Sequence, residues 1–337
     1  MSSNATAPLT RRRFIRICAA ATAGLALPST ASAAGAKLHR WTGVALGARA
    51  EINLVLKSAE EAEYLFKRIE AEIRRLEAIF SLYRTDSELS RLNRDGHLAA
   101  PSQELVELLG LSRRLFELTE GAFDPTVQRL WELHARQTAQ ASSDAEQPAA
   151  FDDALSRTGF DRIVVEAAGI RFRDPGMAIT LNGIAQGYIT DRVATLLTAA
   201  GCLNTLVDLG EISATGTAPP ESGPVTAGWP VTLRPDPGQP DQQADVHLNN
   251  MAVASSARLG TTFDQAGARS HILDPRSGLP VANDLLGASV LAPTAALADG
   301  LSTAALVTGE RGLAAMLSEI PGACAFIVRE SGSSAWL

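Results

Sequence analysis

"ITLNGIAQGYITDRV", residues 179–193, changes character halfway along. Ile179 to Leu181 read as a strand that enters a helix through Asn182-Gly183. Ile184 to Ala200 read as that helix, stopped by Gly201. Gly183 permits close backbone approach, and the free N–H groups of a helix start suit a phosphate. Many strand-to-helix turns look alike, so the stretch alone leaves both a plain turn and an anion site open.

Downstream, Thr205 to Leu209 read as a strand leading into "LVDLGEISATG", residues 206–216. Asp208 follows apolar residues there, and Gly210 and Gly216 bracket a bend that either approaches a ligand or caps a strand. Pro219 to Gly228 and Pro235 to Asp245 are loops, the second joining strands Val231–Arg234 and Val246–Leu248. Ala295 to Thr308 is a helix ended by Gly309. A second helix follows at Leu313 to Ile320, then a strand at Cys324 to Val328.

Upstream, Val44 to Leu56 alternate as one strand. Ser58 and Glu61 form a capping box for a helix whose core stripe is Ala62, Leu65, Ile69, Ile73, Leu76 and Phe80. A second helix runs from Gln103 to about Glu120, ended by Gly121. Arg136 to Ala150, polar and small, is a surface loop, and Ile163 to Phe172 a hairpin turning at Ala168-Gly169. Helices and strands mix without strict βαβ alternation. The predicted class is α+β, with mixed or antiparallel sheets flanked by helices, as one unit or as two lobes with a site between them.

The 337 residues are 46% hydrophobic but only 5% aromatic, so alanine, leucine and valine must fill the core. The first 33 residues read as an export signal. A basic run contains the twin arginine Arg11-Arg12, a short apolar stretch follows, and Ala31-Ser32-Ala33 is a cleavage site. The folded domain is expected over residues 38–330, in the periplasm. Losing Arg11, Arg12, Arg13 and Arg16 takes the formal charge from −7 to −11. Such an acidic chain is a poor partner for nucleic acid. No later segment is long and apolar enough to span a bilayer. Cys18 leaves with the signal. Cys202 and Cys324 stay, as a disulfide or as two buried thiols.

No dinucleotide glycine fingerprint, Walker loop, zinc-protease or serine-hydrolase motif occurs. The chemistry sits in separated polar islands. In "GAFDPTVQRLW", residues 121–131, Asp124 is placed to cap a turn that starts at Pro125. In "APTAALADGLSTAAL", residues 292–306, Asp299 and Thr303 share one face of an apolar helix. A carboxylate there costs several kcal/mol unless a cation or hydrogen bonds compensate it. Magnesium, which takes oxygen ligands together with phosphates, is one such cation. A hydrogen-bonded pair without metal is the other reading. "HILDPRSGLP", residues 271–280, is either a turn or part of a site.

Taken in series, "IFSLYRTDSELSRLN", "GAFDPTV", "NGIAQGYITDRV", "LVDLGEISATG", "VASSA", "SHILDPRSG" and "ADGLSTAAL" resemble the FAD:protein FMN transferases, the ApbE-type flavin transferases. The twin-arginine signal is also similar to that of members accompanying nitrous-oxide reductase. The resemblance implies FAD contacts at Leu46, Tyr83, Ala122, Phe123, Asp124, Thr180, Gln186 and Ile272. It implies magnesium held by the Gly183 carbonyl and the side chains of Asp299 and Thr303. The implied reaction splits FAD, attaches FMN through a phosphoester to a Ser or Thr of a client flavoprotein, and releases AMP. His271, the one histidine inside a matched motif, suits removal of the hydroxyl proton, and Asp299 is its catalytic partner through the metal. The sequence departs from the family at three places. Thr180 stands for the usual aspartate, Gln186 for the lysine and Leu46 for the methionine. Those departures keep two alternatives in play: a flavin carrier without transfer chemistry, and an FAD pyrophosphatase with water as acceptor.

Overall fold

The computed structural model describes residues 35–139, 147–166, 168–219, 228–264, 267 and 269–337. The export signal lies outside the described residues. The chain begins with strands β1 (Lys37–Ala45) and β2 (Ala48–Leu56), then helices α1 (Ala59–Phe80) and α2 (Glu88–Asp95). Strand β3 (His97–Ala99) leads to α3 (Gln103–Leu118), α4 (Gln128–Ala139) and α5 (Gln147–Ser156). A hairpin, β4 (Ile163–Glu166) and β5 (Gly169–Phe172), precedes α6 (Ala185–Ala199), β6 (Thr205–Asp208) and β7 (Ile212–Thr215). There follow β8 (Trp229–Leu233), β9 (Ala244–Leu248), β10 (Met251–Ala257), β11 (Leu285–Ala292), α7 (Ala295–Ser318), β12 (Cys324–Arg329) and β13 (Ser334–Trp336).

Eight strands form one antiparallel sheet in the order β1-β2-β6-β7-β10-β11-β12-β13. Alternation divides its two faces: Val207, Ala288, Val290 and Ile327 point to the main core, while Leu206, Leu291, Phe326 and Val328 point to the other side. On the core side lie α1, α6 and α7. The other side is covered by the β8–β9 hairpin, through Trp229, Val231, Leu233 and Leu248. The small β3-β5-β4 sheet is not cored separately. Leu98, Ile163, Ile170 and Phe172 belong to the same buried cluster as Ile52 and Leu54. The architecture is the expected α+β type, with the two sheets fused through that core.

Helices α1, α3, α6 and α7 form where the apolar spacing places them, while α2 and α5 were not anticipated. The Ser58 hydroxyl accepts from the Glu61 N–H at 3.2 Å, and Leu65, Ile69, Ile73 and Leu76 of α1 are buried. The helical segment after Thr294 is two helices that abut at a kink at Gly309, whose φ of 72° lies outside the right-handed helical range. The two predicted segments are therefore both present.

Three expectations need correction. Val44 to Leu56 is not one strand. Leu46 and Gly47, at φ 46° and 84°, make a two-residue hairpin turn between β1 and β2. The turn moves the core-facing positions from odd, at Ala45, to even, at Ala50, Ile52 and Leu54, and that change of parity is the only trace it leaves in the alternation. Arg136 to Ala150 is not a single loop, since α4 extends to Ala139 and α5 starts at Gln147. Residues 140–146 lie outside the described ones. Ile179 to Leu181 form no strand and pair with none among the described residues. The Asn93 side chain takes the place of a strand neighbour: its Nδ2 donates to the Ile179 carbonyl and its Oδ1 accepts from the Ile179 N–H, both at 2.8 Å. The Thr180 N–H is taken by the Pro125 carbonyl at 2.8 Å. Cys202 and Cys324 are free. Cys202 sits in the main core and Cys324 packs against the cluster on the far sheet face.

Candidate active site

Antiparallel register brings the site to one end of the large sheet. Glu51 of β2 faces Asp208 of β6, so the Leu46 hairpin tip lies beside the β6–β7 turn. Ile212 faces Val253, so Ser255, Ser256 and the segment that follows β10 emerge at that same end. The start of α6 docks on this turn. Gln186 Nε2 donates to the Leu209 carbonyl at 2.7 Å, and Thr190 Oγ1 to the Glu211 carbonyl at 3.3 Å.

Helices α6 and α7 approach backbone to backbone at Gly187. A Cβ at Gly187 would come within 2.4 Å of the Ala295 carbonyl oxygen. In that contact the Gly187 N–H donates to Asp299 Oδ2 at 3.2 Å. Asp191, one turn further along α6, accepts from the N–H groups of Ala295 and Ala296 at 2.7 and 2.9 Å. It thus caps α7 from a neighbouring helix. Gly300 admits α3 closely, with Leu115 2.3 Å from where its Cβ would stand.

Gly183 lies directly against Thr303, whose Oγ1 is 3.0 Å from the position of a Gly183 Cβ, with the Phe123 ring 3.5 Å away. Thr190, Thr195, Thr198 and Thr308 turn their hydroxyls back onto the carbonyl four residues earlier. Thr303 makes no such bond among the described residues, which leaves its oxygen available beside Gly183. Asp299 is buried and bonds no side chain among the described residues. The pairing of Asp299 with Thr303 through a hydrogen bond does not occur.

Two further acids act near Asp299: Glu211, which is buried, and Asp208, which is half-buried. Glu211 accepts from the Ser255 N–H at 3.3 Å, and Asp208 from the Gly210 N–H at 3.0 Å. Burial, and then repulsion from Asp299 and Asp208, holds Glu211 well above the usual carboxylate range. Burial raises Asp299 likewise, against the Gly187 N–H. Burial pushes Asp208 up to about 6, with Arg49 opposing. The Ser256–Ser302 hydroxyl contact at 2.8 Å and the bond from Ser302 to the Asp299 carbonyl at 3.0 Å tie β10 to this helix turn. No group of three Asp, Glu, His or Cys among the described residues could hold a metal, so a hard divalent cation would rest on Asp299 with the neutral oxygens of Thr303 and Gly183 and on phosphate oxygens.

Ala122 packs with Val281 and Val307, and Ile272 rests on the same cluster. That contact delivers the 271–280 stretch to the site. His271 Nδ1 is 2.7 Å from the Thr261 carbonyl, so that nitrogen carries the proton and Nε2 keeps its lone pair. Burial lowers His271 further. Asp274 and Arg276 pair with each other at 2.9 Å and shape the loop.

Asp124 is committed to the fold. Its Oδ1 accepts from Thr126 N–H and Oγ1 at 2.8 and 2.6 Å, and its Oδ2 from the Phe160 N–H at 3.1 Å. A ligand contact there falls to backbone or to Ala122 and Phe123. Thr180 Oγ1 accepts from the Asn182 N–H at 3.2 Å. Leu46 and Tyr83 flank the C-terminal end of α1. The Leu46 N–H donates to Glu77 Oε1 at 2.7 Å, and Tyr83, just past the Ser81 cap, is 68% exposed and available for a ring contact. Asn93, Asp191 and Glu211 lie inside quoted motifs, yet their roles were missed. Their partners are 86, 104 and 44 residues away, and spacing carries no trace of that.

The ApbE family model matches residues 46–328. The chain is 33% identical over 263 residues to the FAD:protein FMN transferase of Haemophilus influenzae, covering 74% of each chain. It is 29% identical to that of Treponema pallidum, covering 81% of this chain and 79% of the relative. Among solved structures, the flavin transferase ApbE from Vibrio cholerae superposes with a TM-score of 0.76 at 26% identity, covering 90% of this chain and 97% of that one. The flavinyl transferase ApbE of Pseudomonas stutzeri, in its apo form, gives 0.75 at 27% identity, with 91% and 95% covered. A match that runs from the hairpin turn at Leu46 to the last buried strand makes this protein a member of the ApbE family.

Proposed function

We propose that this protein is a magnesium-dependent FAD:protein FMN transferase that works in the periplasm after twin-arginine export. The observation that carries the reading is the meeting of Gly183, Thr303 and Asp299 where α6 docks on α7, in a chain whose curated relatives are named for this activity. Tyr83, Ala122, Phe123 and Ile272 offer the apolar and aromatic surface for FAD, and the hairpin turn at Leu46 closes the same end. Gln186, already bound to Leu209, contributes no charge, so phosphate charge falls to the cation and to backbone N–H groups. Asp299, Thr303 and the Gly183 carbonyl would hold magnesium, which supplies Lewis-acid neutralisation of phosphate charge.

His271 presents an unprotonated Nε2 and takes the proton of the client's Ser or Thr hydroxyl. The hydroxyl oxygen forms the new bond to the FMN-side phosphorus. The pyrophosphate bond breaks, and AMP leaves with its electron pair. The client is a flavoprotein, and the signal's likeness to nitrous-oxide reductase accessory members points to an electron-transfer client. The deciding experiment incubates mature protein with FAD, magnesium and a candidate client, and weighs the client by mass spectrometry. An added FMN mass supports transfer. FMN and AMP appearing without a client adduct supports the pyrophosphatase, and intact FAD supports the carrier.

A further inference from the structure

His134 of α4 is buried, at 3% exposure, and no step above uses it. Its Nε2 is 2.9 Å from the Gly278 carbonyl, so Nε2 carries the proton. Its Nδ1 is 3.1 Å from Arg269 Nη2, which can only donate, so Nδ1 carries the lone pair. The two partners together fix one neutral tautomer. The ring stacks on Phe263 at 5.5 Å and meets Phe151 of α5 edge-on at 6.3 Å.

Those two partners lie on opposite sides of His271. Arg269 closes the hairpin that precedes it: its carbonyl accepts from the Phe263 N–H at 3.0 Å, and its N–H reaches Asp264 at 2.9 Å. That hairpin begins at Thr261, the residue whose carbonyl orients the His271 ring. Gly278 closes the loop that follows, donating to the Asp274 carbonyl at 2.7 Å. It needs its φ of 72°, and a Cβ there would stand 2.8 Å from Phe151. One imidazole therefore joins both flanks of the proposed base to the α4–α5 pair.

We propose that His134 is a positioning residue for the transfer reaction, holding the His271 segment in its working conformation only while its own ring is neutral. This rests on the transferase reading, in which His271 takes the hydroxyl proton. A second proton would have to go on Nδ1, which faces Arg269. The acceptor would be lost and two cations would be brought together. Arg269 is the charged group facing the ring; α5 presents Phe151, the 271–280 loop presents a carbonyl, and Asp274 and Arg276 of that loop satisfy each other. Burial first, then Arg269, lowers the His134 pKa, against the Gly278 carbonyl.

The test uses the full folded protein, three single variants and one double variant. His134→Ala should lower kcat for FMN transfer about 10-fold or more while KM for FAD changes less than about 2-fold, the signature of lost orientation. His134→Gln offers a donor to Gly278 and an oxygen to Arg269, and should restore most of kcat. Arg269→Gln, at the surface, relieves the pressure against protonation. His134 then titrates nearer its ordinary value of about 6.5, and the acid limb of the kcat profile moves up in pH. Combining it with His134→Gln should cancel that move. Imidazole nitrogen NMR of the FAD-free protein reads the His271 tautomer directly, and His134→Ala should disturb it. An unshifted acid limb, a glutamine variant as slow as the alanine one, or an undisturbed His271 signal would overturn the proposal. If wild-type protein transfers no FMN while the His271 signal still depends on His134, the transferase reading fails and the positioning role stands.

Discussion

The backbone N–H of Gly187 donates to Asp299 Oδ2 at 3.2 Å, across a helix contact with no room for a Cβ. Position 187 thus sets both the separation of α6 and α7 and the environment of the buried acid. Gly187→Ala would place a carbon 2.4 Å from the Ala295 carbonyl oxygen and 2.7 Å from Ala296 Cα. Both are backbone atoms and cannot swing aside, so α7 must shift. The expected cost is about 1–3 kcal/mol of stability, with magnesium affinity lost as well. Urea melts and calorimetric magnesium titration check it; a variant that binds magnesium normally would separate the helix contact from the metal site.

Asp191 secures the same contact from one turn away. Both of its oxygens accept from the start of α7, at 2.7 and 2.9 Å. Asp191→Asn keeps the shape but turns an NH₂ toward one of those N–H groups. Leaving one buried donor unmet costs about 1–3 kcal/mol. FMN transfer should fall further than stability explains, because Asp299 and Thr303 ride on the helix being capped. Equal losses in the melt and in transfer at saturating magnesium would reduce Asp191 to a plain cap.

The long helices α1, α3, α6 and α7 were legible because each is a local statement, whereas α2 was not read and α5 begins in a stretch read as loop. The Ala62-to-Phe80 stripe, the Ser58 cap and the Gly309 break need only neighbours in sequence. The sheet was less so. Strand β11, "LLGASVLA", is buried at every position and shows no alternation. The Leu46-Gly47 turn contains none of the usual turn polar residues. In the site, Asp299, Thr303 and Gly183 were legible as odd residues in apolar surroundings. The reading of Asp124 as a cap and its reading as a ligand were both open, and the side chain turned out to be spent on Thr126 and Phe160. What Asn93, Asp191 and His134 do was not legible, because each bonds backbone or side-chain atoms of a distant segment.

Tyr83 is exposed and holds nothing together, so it separates binding from folding. The protein should bind FAD in the micromolar range or tighter, about −8 kcal/mol. Tyr83→Ala should weaken binding by about 1 kcal/mol or more, the scale of an aromatic contact, with the melting temperature unchanged. Titration by fluorescence quenching measures it. Wild-type protein that fails to bind FAD would remove the flavin reading altogether.

Export rests on Arg11 and Arg12. Replacing both with lysine keeps the charge and removes the paired guanidinium groups, and should leave the precursor in the cytoplasm. Fractionation and blotting decide this; normal periplasmic accumulation of the double variant would end the twin-arginine assignment.

Asp299→Asn distinguishes a metal ligand from a structural acid. The folded protein raises the Asp299 pKa above its unfolded value of about 3.9. Protonated Asp299 therefore contributes stability that is complete below about pH 4 and is lost as pH rises through its folded value. Asparagine has no such dependence. In metal-free buffer the variant's melting temperature should match wild type near pH 4 and exceed it near pH 8. Magnesium should reverse that order at the higher pH, because only the carboxylate gains a cation. Transfer should fall about 100-fold, roughly 2.7 kcal/mol of barrier, and excess magnesium should recover part of it. Melts at both pH values, with and without magnesium, and mass-detected transfer supply the readouts. If asparagine changes neither the pH dependence nor the magnesium response, Asp299 serves only to bind the Gly187 N–H, and the carrier becomes the better reading of this site.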